Sequence, residues 1–269
     1  MRRSLILMTV IILLIPVMAV SAGEEDALRG WAADDGYVYV TLGRYPQTID
    51  GGGQVEKMGW KWYSKKTKVT REDAQVEPIL WRVLTVDDEK AYLCSEYILF
   101  AMPMHRDYNA YAKFGGDFAQ TELCAYLNGE FAADAFTEDE MSMLAEYGTY
   151  GKVFLLGSED VKNKGIGMGT NPGRKQGLKA YGTEYSIRVT KSYVFEPMNG
   201  SHGAYWVRDP STSDARHARC TKHDGSLGHI IADRANEGVR PAVYLASGTW
   251  DIAGGSGAKD DPYQLIKKR

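Results

Sequence analysis

The chain has 269 residues, 44% hydrophobic, 11% aromatic and 25% charged, with a formal net charge of −3. That length suits one domain with at most a small appendage, and the apolar content supports a real core and excludes a disordered chain. A near-balanced charge with no basic run inside the domain excludes the electrostatic footprint of a nucleic-acid binder.

At the N-terminus, Arg2 and Arg3 precede an almost wholly apolar run from Leu5 to Val20, interrupted by Thr9 and Pro16. Val20-Ser21-Ala22 then leads into the polar Gly23-Glu24-Glu25-Asp26. This is the three-part layout of a secretory signal. Residues 1–22 are therefore expected to be a signal peptide cleaved before Gly23, and residues 23–36 a linker. The run is shorter than the roughly 20 residues that a spanning helix needs. No cysteine follows it as in a lipoprotein, and no second long apolar segment follows, so no membrane span is expected after cleavage. The mature protein is expected to be secreted, periplasmic or associated with the cell surface. Its three cysteines, Cys94, Cys124 and Cys220, are an odd count, which leaves at least one thiol unpaired. If a bridge forms, Cys94–Cys124 is the expected one.

Tyr37 to Leu42 is rich in β-formers and reads as a first strand. Asp50-Gly51-Gly52-Gly53 is a loop, and Met58 to Tyr63 a hairpin arm. Ile79 to Val86 and Ala91 to Cys94 form a β-hairpin turned by Asp87-Asp88-Glu89-Lys90. Helices follow. Asp117 with Gln120 resembles a capping box, ahead of Phe118, Leu123, Tyr126 and Leu127 at near-helical spacing, and Asn128-Gly129 is expected to stop the run. Thr137 with Glu140 is a second capping box. Lys152 to Leu156 reads as a buried strand, with Ser158 placed to cap a short helix. Residues 163–177 are glycine-rich and basic, but no Lys-Ser/Thr follows the glycines, so the phosphate-loop pattern fails and a mobile surface loop is expected. Strands return at Ala204–Arg208, Ala215–Lys222 and Gly238–Leu245, with Asp224-Gly225 as a two-residue hairpin turn. Residues 248–269 read as a tail with a final short extended segment. The acidic doublets Asp34-Asp35, Asp87-Asp88 and Asp260-Asp261 lack the alternating ligands of a calcium loop and read as solvated turns. Strands at both chain ends around a few central helices indicate an α+β fold.

Several blocks carry a family resemblance. Leu42-Gly43-Arg44-Tyr45-Pro46-Gln47 and Glu77 to Leu84 resemble the opening of the uncharacterised bacterial family domain of unknown function 6273. Leu123 to Phe131, Val153 to Ser158, Tyr205 to Pro210 and Gly238 to Ala242 resemble its later blocks, in order, so the resemblance spans residues 37–247 as one α+β domain. The chain departs from the family pattern at Tyr205, where a tryptophan is usual, and at Asp209, where a serine is usual. The resemblance implies an exported protein. The C-terminal blocks are also similar to those of C-type-lectin-like folds, which implies that fold by analogy. The cysteine arrangement of formylglycine-generating enzymes on that scaffold is not recognisable, so their activity is not implied.

Three constellations are candidates for chemistry. His202, His217, His223 and His229 cluster with Cys220, in residue types that suit zinc. With a two-residue turn, Cys220 stands opposite His229 and shares its face, while His217 and His223 lie on the other, so each face offers at most two ligands and no metal site is expected. The Cys220–His229 pair as nucleophile and base lacks a third orienting group. Tyr205, Trp206, Arg208 and Arg240 are the candidate ligand-binding residues, since arginine suits carboxylates and aromatic rings stack on sugars or peptides. The competing reading, favoured by bulky groups on both faces of that strand, puts Trp206 in the core and pairs the arginines with buried acids such as Asp209. No catalytic residue and no cofactor is singled out. The function expected is a secreted, non-catalytic domain recognising an extracellular protein or glycan. The alternatives are an enzyme on a C-type-lectin-like scaffold and a purely structural envelope module.

Overall fold

The computed structural model describes Leu28 and residues 37–49, 69–166, 168, 176–193 and 202–269. The expected signal peptide, the 50–53 loop, the arm at 58–63 and the Asp34-Asp35 doublet lie outside the described residues. So do the linker apart from Leu28, and Gly167 and residues 169–175 of the glycine-rich loop. Among the described residues no helix is long and apolar enough to cross a membrane.

The structure is mixed α/β, mostly sheet with a few short helices. The strands are β1 (Tyr39–Thr48), β2 (Gln75–Val86), β3 (Lys90–Ser95), β4 (Phe100–Ala101), β5 (Leu144–Ala145), β6 (Val153–Leu155), β7 (Ala180–Tyr181) and β8 (His202–Gly203). They continue as β9 (Tyr205–Pro210), β10 (His217–Thr221), β11 (Leu227–Ile231), β12 (Gly238–Val239), β13 (Pro241–Ala246), β14 (Trp250–Gly254) and β15 (Tyr263–Lys267). A large sheet runs β14-β15-β1-β2-β3-β13-β5, with β6 also paired to β13. A second runs β11-β10-β9-β12-β4, and β7 pairs with β8. The helices are α1 (Tyr108–Lys113), α2 (Glu122–Tyr126), α3 (Ala132–Ala135), α4 (Glu138–Met143), α5 (Ser158–Lys162) and α6 (Glu184–Arg188).

The β2–β3 hairpin forms where expected, because the Asp87 carboxylate accepts from the Glu89 and Lys90 backbone N–H groups and closes the turn. Trp81 of β2 is fully buried, donates to the Leu42 carbonyl at 2.8 Å and stacks on Phe136. Gly43 breaks the β1 register at a positive φ of 69°, and a side chain there would strike the Ala135 carbonyl and the Phe136 ring. Only glycine lets α3 approach β1 this closely. The Thr137–Glu140 capping box is present, and the other oxygen of Glu140 accepts from the Gly43 N–H, tying α4 to the same break.

The structure departs from expectation in four places, and it also decides the state of the cysteines. Asp117 caps only the short 3₁₀ turn Phe118–Gln120, while Thr121 caps α2. The helix does not stop at Asn128-Gly129 but continues through a wide π turn, Leu127–Phe131, into α3, because Leu127 and Phe131 are both fully buried. The strand expected over 238–245 splits at Arg240, with β12 in one sheet and β13 in the other. Residues 248–269 are not a tail: β14 and β15 extend the large sheet, with β15 parallel to β1 and Trp250 and Leu265 buried. All three cysteines are free and buried, so no Cys94–Cys124 bridge exists. Cys94 is enclosed between β2 and β13, whereas Cys124 on α2 points its sulfur at the Tyr150 carbonyl.

Candidate ligand-binding site

Strand β9 is the central strand of the smaller sheet, which decides the environment of its residues. Tyr205 and Trp206 are fully buried. Trp206 donates from Nε1 to the Met102 carbonyl, and Tyr205 donates its hydroxyl to the Leu178 carbonyl. Arg240, at the crossing between the sheets, is 1% exposed. It donates to the Ser95 carbonyl and to the Tyr205 hydroxyl, and its Nη2 lies 3.8 Å from Glu96 Oε2, an ion pair without a hydrogen bond. Its acid partner is therefore Glu96 rather than Asp209. Glu96 also meets Arg82 at 2.6 Å and Lys259 at 3.0 Å. Burial by itself would push the Glu96 carboxyl up, yet Arg82, Lys259 and Arg240 together hold it below the usual carboxylate value. Three cations around one buried carboxylate brace the junction of the sheets.

Arg208 is different. It lies two residues past Trp206, where β9 emerges, and its side chain is 13% exposed. Its Nη1 donates to the Leu155 carbonyl at 2.7 Å and to Asp160 Oδ2 at 3.0 Å, and its Nη2 donates to the Tyr147 hydroxyl. The guanidinium lies 5.2 Å from the Tyr147 ring centre and 5.7 Å from that of Tyr150, within cation–π range. Asp160 is held in turn by the Gly157 N–H and the Tyr92 hydroxyl. The carboxylate is the third residue of α5 and caps that helix from within. Gly157 leaves room for this arrangement, because a side chain there would displace the Arg208 guanidinium from its place. Asp209 takes a different role and accepts from the Ser158 N–H at the start of α5. Tyr147, Phe154 and Tyr244 pack with ring centres 4.7–5.2 Å apart, and Tyr147, Tyr150 and Tyr244 all remain half-exposed. The result is a pre-ordered face of tyrosine rings around one fixed guanidinium and one carboxylate.

The β10–β11 hairpin corrects the expected register. The Lys222 N–H bonds the Ser226 carbonyl and the Gly225 N–H bonds the Lys222 carbonyl, with Gly225 at φ 78°. This is a three-residue loop with glycine in the left-handed position, one residue longer than Asp-Gly alone implies. The extra residue shifts the register by one. His229 stands opposite Arg219 and Cys220 opposite Gly228, so Cys220 and His229 are on opposite faces and cannot act together. His229 instead neighbours His217, with ring centres 5.4 Å apart. Among the described residues no group of three or more His, Cys, Asp or Glu side chains could hold a metal ion. Burial, with the neighbouring Glu237, pushes the Cys220 thiol up to about 12, the reverse of what a nucleophile needs.

Sequence reading did not single out Asp160, Tyr147, Tyr150, Glu96 or Arg82. Asp160 had a signal, an acid three residues after Gly157 at a strand-to-helix turn. The tyrosines had none, because they are brought to Arg208 only by the packing of β6 against β9. Fold and face together describe a sheet-rich α/β structure that carries an ordered arginine–tyrosine face around Arg208. Residues 88–247 match the family model described as "Domain of unknown function (DUF6273)", and the chain belongs to that family. Arg208, Asp160 and the surrounding tyrosines all fall inside the matched residues, whereas β1, β14 and β15 fall outside them. No curated protein and no solved structure matches the chain.

Proposed function

We propose that this is an exported, non-catalytic domain that recognises an extracellular protein or glycan through the half-exposed face around Arg208. The carrying observation is that the guanidinium is already locked by Leu155, Asp160 and Tyr147 while three tyrosine rings beside it stay partly open. Such a face costs little ordering entropy on binding. Tyrosine rings stack on the C–H faces of sugars or on peptide side chains, and the arginine–carboxylate pair supplies fixed polar partners. The buried, high-pKa thiols Cys124 and Cys220 favour a binder over a thiol enzyme. Export rests on the sequence pattern of residues 1–22, and N-terminal sequencing of secreted material tests it: a mature start at Gly23 is expected. The reading of residues 37–247 as one C-type-lectin-like domain is part of the same proposal. What supports a single domain is the pairing of β3, near the start of that span, with β13 near its end, and the β1–β15 pairing adds the C-terminal residues to the same sheet. A glycan array together with a pull-down from culture supernatant tests the function. Binding that Tyr150→Ala abolishes in a folded protein supports it, and binding indifferent to Tyr147→Ala and Tyr150→Ala defeats it.

A further inference from the structure

The register of the β10–β11 hairpin brings together two side chains that a two-residue turn would keep apart. His217 pairs with Ile231 and Arg219 with His229, so His217 and His229 share one face as diagonal neighbours. His229 is exposed and His217 half-buried, with ring centres 5.4 Å apart and planes at 75°. With metal–nitrogen bonds of about 2.0–2.1 Å and a ring nitrogen about 1.2 Å from its ring centre, two imidazoles on one tetrahedral ion hold their centres about 5.2 Å apart. The two rings thus already stand close to the separation that a shared ion imposes.

The surroundings add an independent feature. His217 Nδ1 is buried without a hydrogen bond, and Asp214 Oδ2 lies 3.2 Å from it. Arg216 pins that carboxylate, donating from Nε and Nη2 at 3.1 and 2.9 Å and from its backbone N–H at 2.9 Å. A carboxylate facing Nδ1 favours the proton on that nitrogen and leaves the Nε2 lone pair for a cation, the arrangement common behind metal-bound histidines. Among the described residues nothing hydrogen-bonds His217 Nε2. The neighbouring cation, Arg219, donates to Thr212 Oγ1.

We propose that His217 and His229 form a surface site for a divalent late first-row transition metal, with water in the remaining positions and Asp214 positioning His217 from behind. This is an exchangeable two-histidine site, not the centre of three or more protein ligands that is absent among the described residues. Imidazole nitrogens select copper(II), nickel(II) or zinc(II) over magnesium and calcium, which take oxygen ligands, and the affinity order puts copper(II) first. A ring pair already in place loses little ordering entropy when the ion arrives.

Calorimetric titration of CuCl2 and of ZnCl2 into the full-length, tag-free protein tests this. Saturable binding is expected, copper(II) the tighter, with two imidazole nitrogens in its electron paramagnetic resonance spectrum. His217→Asn and His229→Asn are each expected to weaken binding about tenfold or more and to remove one of those nitrogens. Asp214→Asn is expected to move the His217 ring away from its Nδ1–H form, read from the ring nitrogen chemical shifts, and to weaken binding about tenfold. Should a histidine variant fold poorly, substoichiometric copper(II) on the wild type decides: the ring signals of His217 and His229 are expected to broaden before those of His105, His202 and His223. Absence of saturable binding of either ion overturns the proposal, as does binding that both histidine variants leave unchanged, or broadening centred on other residues. An unchanged ring form and affinity in Asp214→Asn overturns the part given to the carboxylate.

Discussion

The arginine–carboxylate–tyrosine clusters around Glu96 and around Asp160 contrast in burial, and the contrast shows how burial divides structure from recognition. Around Glu96, Arg82 and Arg240 are 5% and 0% exposed, and the carboxylate takes three cations at the seam between the sheets. Around Asp160, the components are the same, but Arg208 and Asp160 are 13% and 22% exposed and the rings open outward. A fully buried ion cluster cannot exchange a partner without a large desolvation cost, so it holds the fold. A half-buried one keeps its geometry while presenting a surface. The same residue types thus serve different ends according to where β9 and β13 carry them.

The largest expected effect tests the buried cluster. Glu96→Ala strands Arg82, Arg240 and Lys259 and is expected to cost about 3–5 kcal/mol. Trp206→Ala is expected to cost a similar amount, about 3–5 kcal/mol, through the cavity it leaves. Against a typical stability of about 5–15 kcal/mol, chemical denaturation should show sharply lowered midpoints. Unchanged midpoints in both variants would abolish the distinction drawn between the clusters.

The pH dependence is the next largest. Burial pushes the Glu237 carboxyl up to about 7, against the opposing influence of Arg234 and Cys220. The folded state then holds this proton more tightly than the unfolded chain, whose value is the usual 4.5. Stability from Glu237 is therefore greatest below pH 4.5 and falls as pH rises to 7, by about 3 kcal/mol in all. Glu96 acts oppositely: its folded pKa is lowered, so its contribution is present above pH 4.5 and lost as pH falls below it. Denaturation across pH should peak near the crossover, and Glu237→Gln should flatten the neutral side. A neutral side already flat in the wild type would refute the assignment.

Asn128→Ala comes next. The Asn128 amide donates to the Cys124, Tyr150 and Val153 carbonyls, and its oxygen accepts from the Lys152 and Val153 N–H groups. It staples the wide helical turn to β6, which positions the Arg208 face. Loss of about 1–3 kcal/mol is expected, with weakened ligand binding as a secondary result. Smaller still, Tyr150→Ala should cost about 0.5–1.5 kcal/mol in the aromatic cluster while removing binding, the inverse of Trp206→Ala. The smallest effect concerns the thiols. With a disulfide reagent the native protein should react negligibly at Cys94, Cys124 and Cys220, and all three should react after unfolding. Fast native labelling of any one would contradict its burial.

Much of the local structure was legible because its causes are local. The β2–β3 hairpin follows from β-formers flanking an aspartate-rich turn, and α4 from the Thr137–Glu140 box. The two-sided bulk of Tyr205-Trp206-Val207 indicated a central, buried strand, and the four later blocks of the family resemblance fall within the matched residues 88–247, while those at 42–47 and 77–84 lie outside them. What the sequence left open depends on residues far apart in the chain. Asp-Gly signals a turn but not whether it holds two or three residues, and that one residue moved Cys220 and His229 to opposite faces. Gly129 signals a helix end, but buried Leu127 and Phe131 override it. The partners of Arg208 and Arg240 lie 48 and 144 positions away at Asp160 and Glu96, a distance no spacing rule spans. Sequence by itself determined the locally encoded elements, such as the β2–β3 hairpin and α4, and the family. Only tertiary packing decided which arginine is sealed in the core and which faces outward, because burial is a property of the assembled sheets and not of the residue.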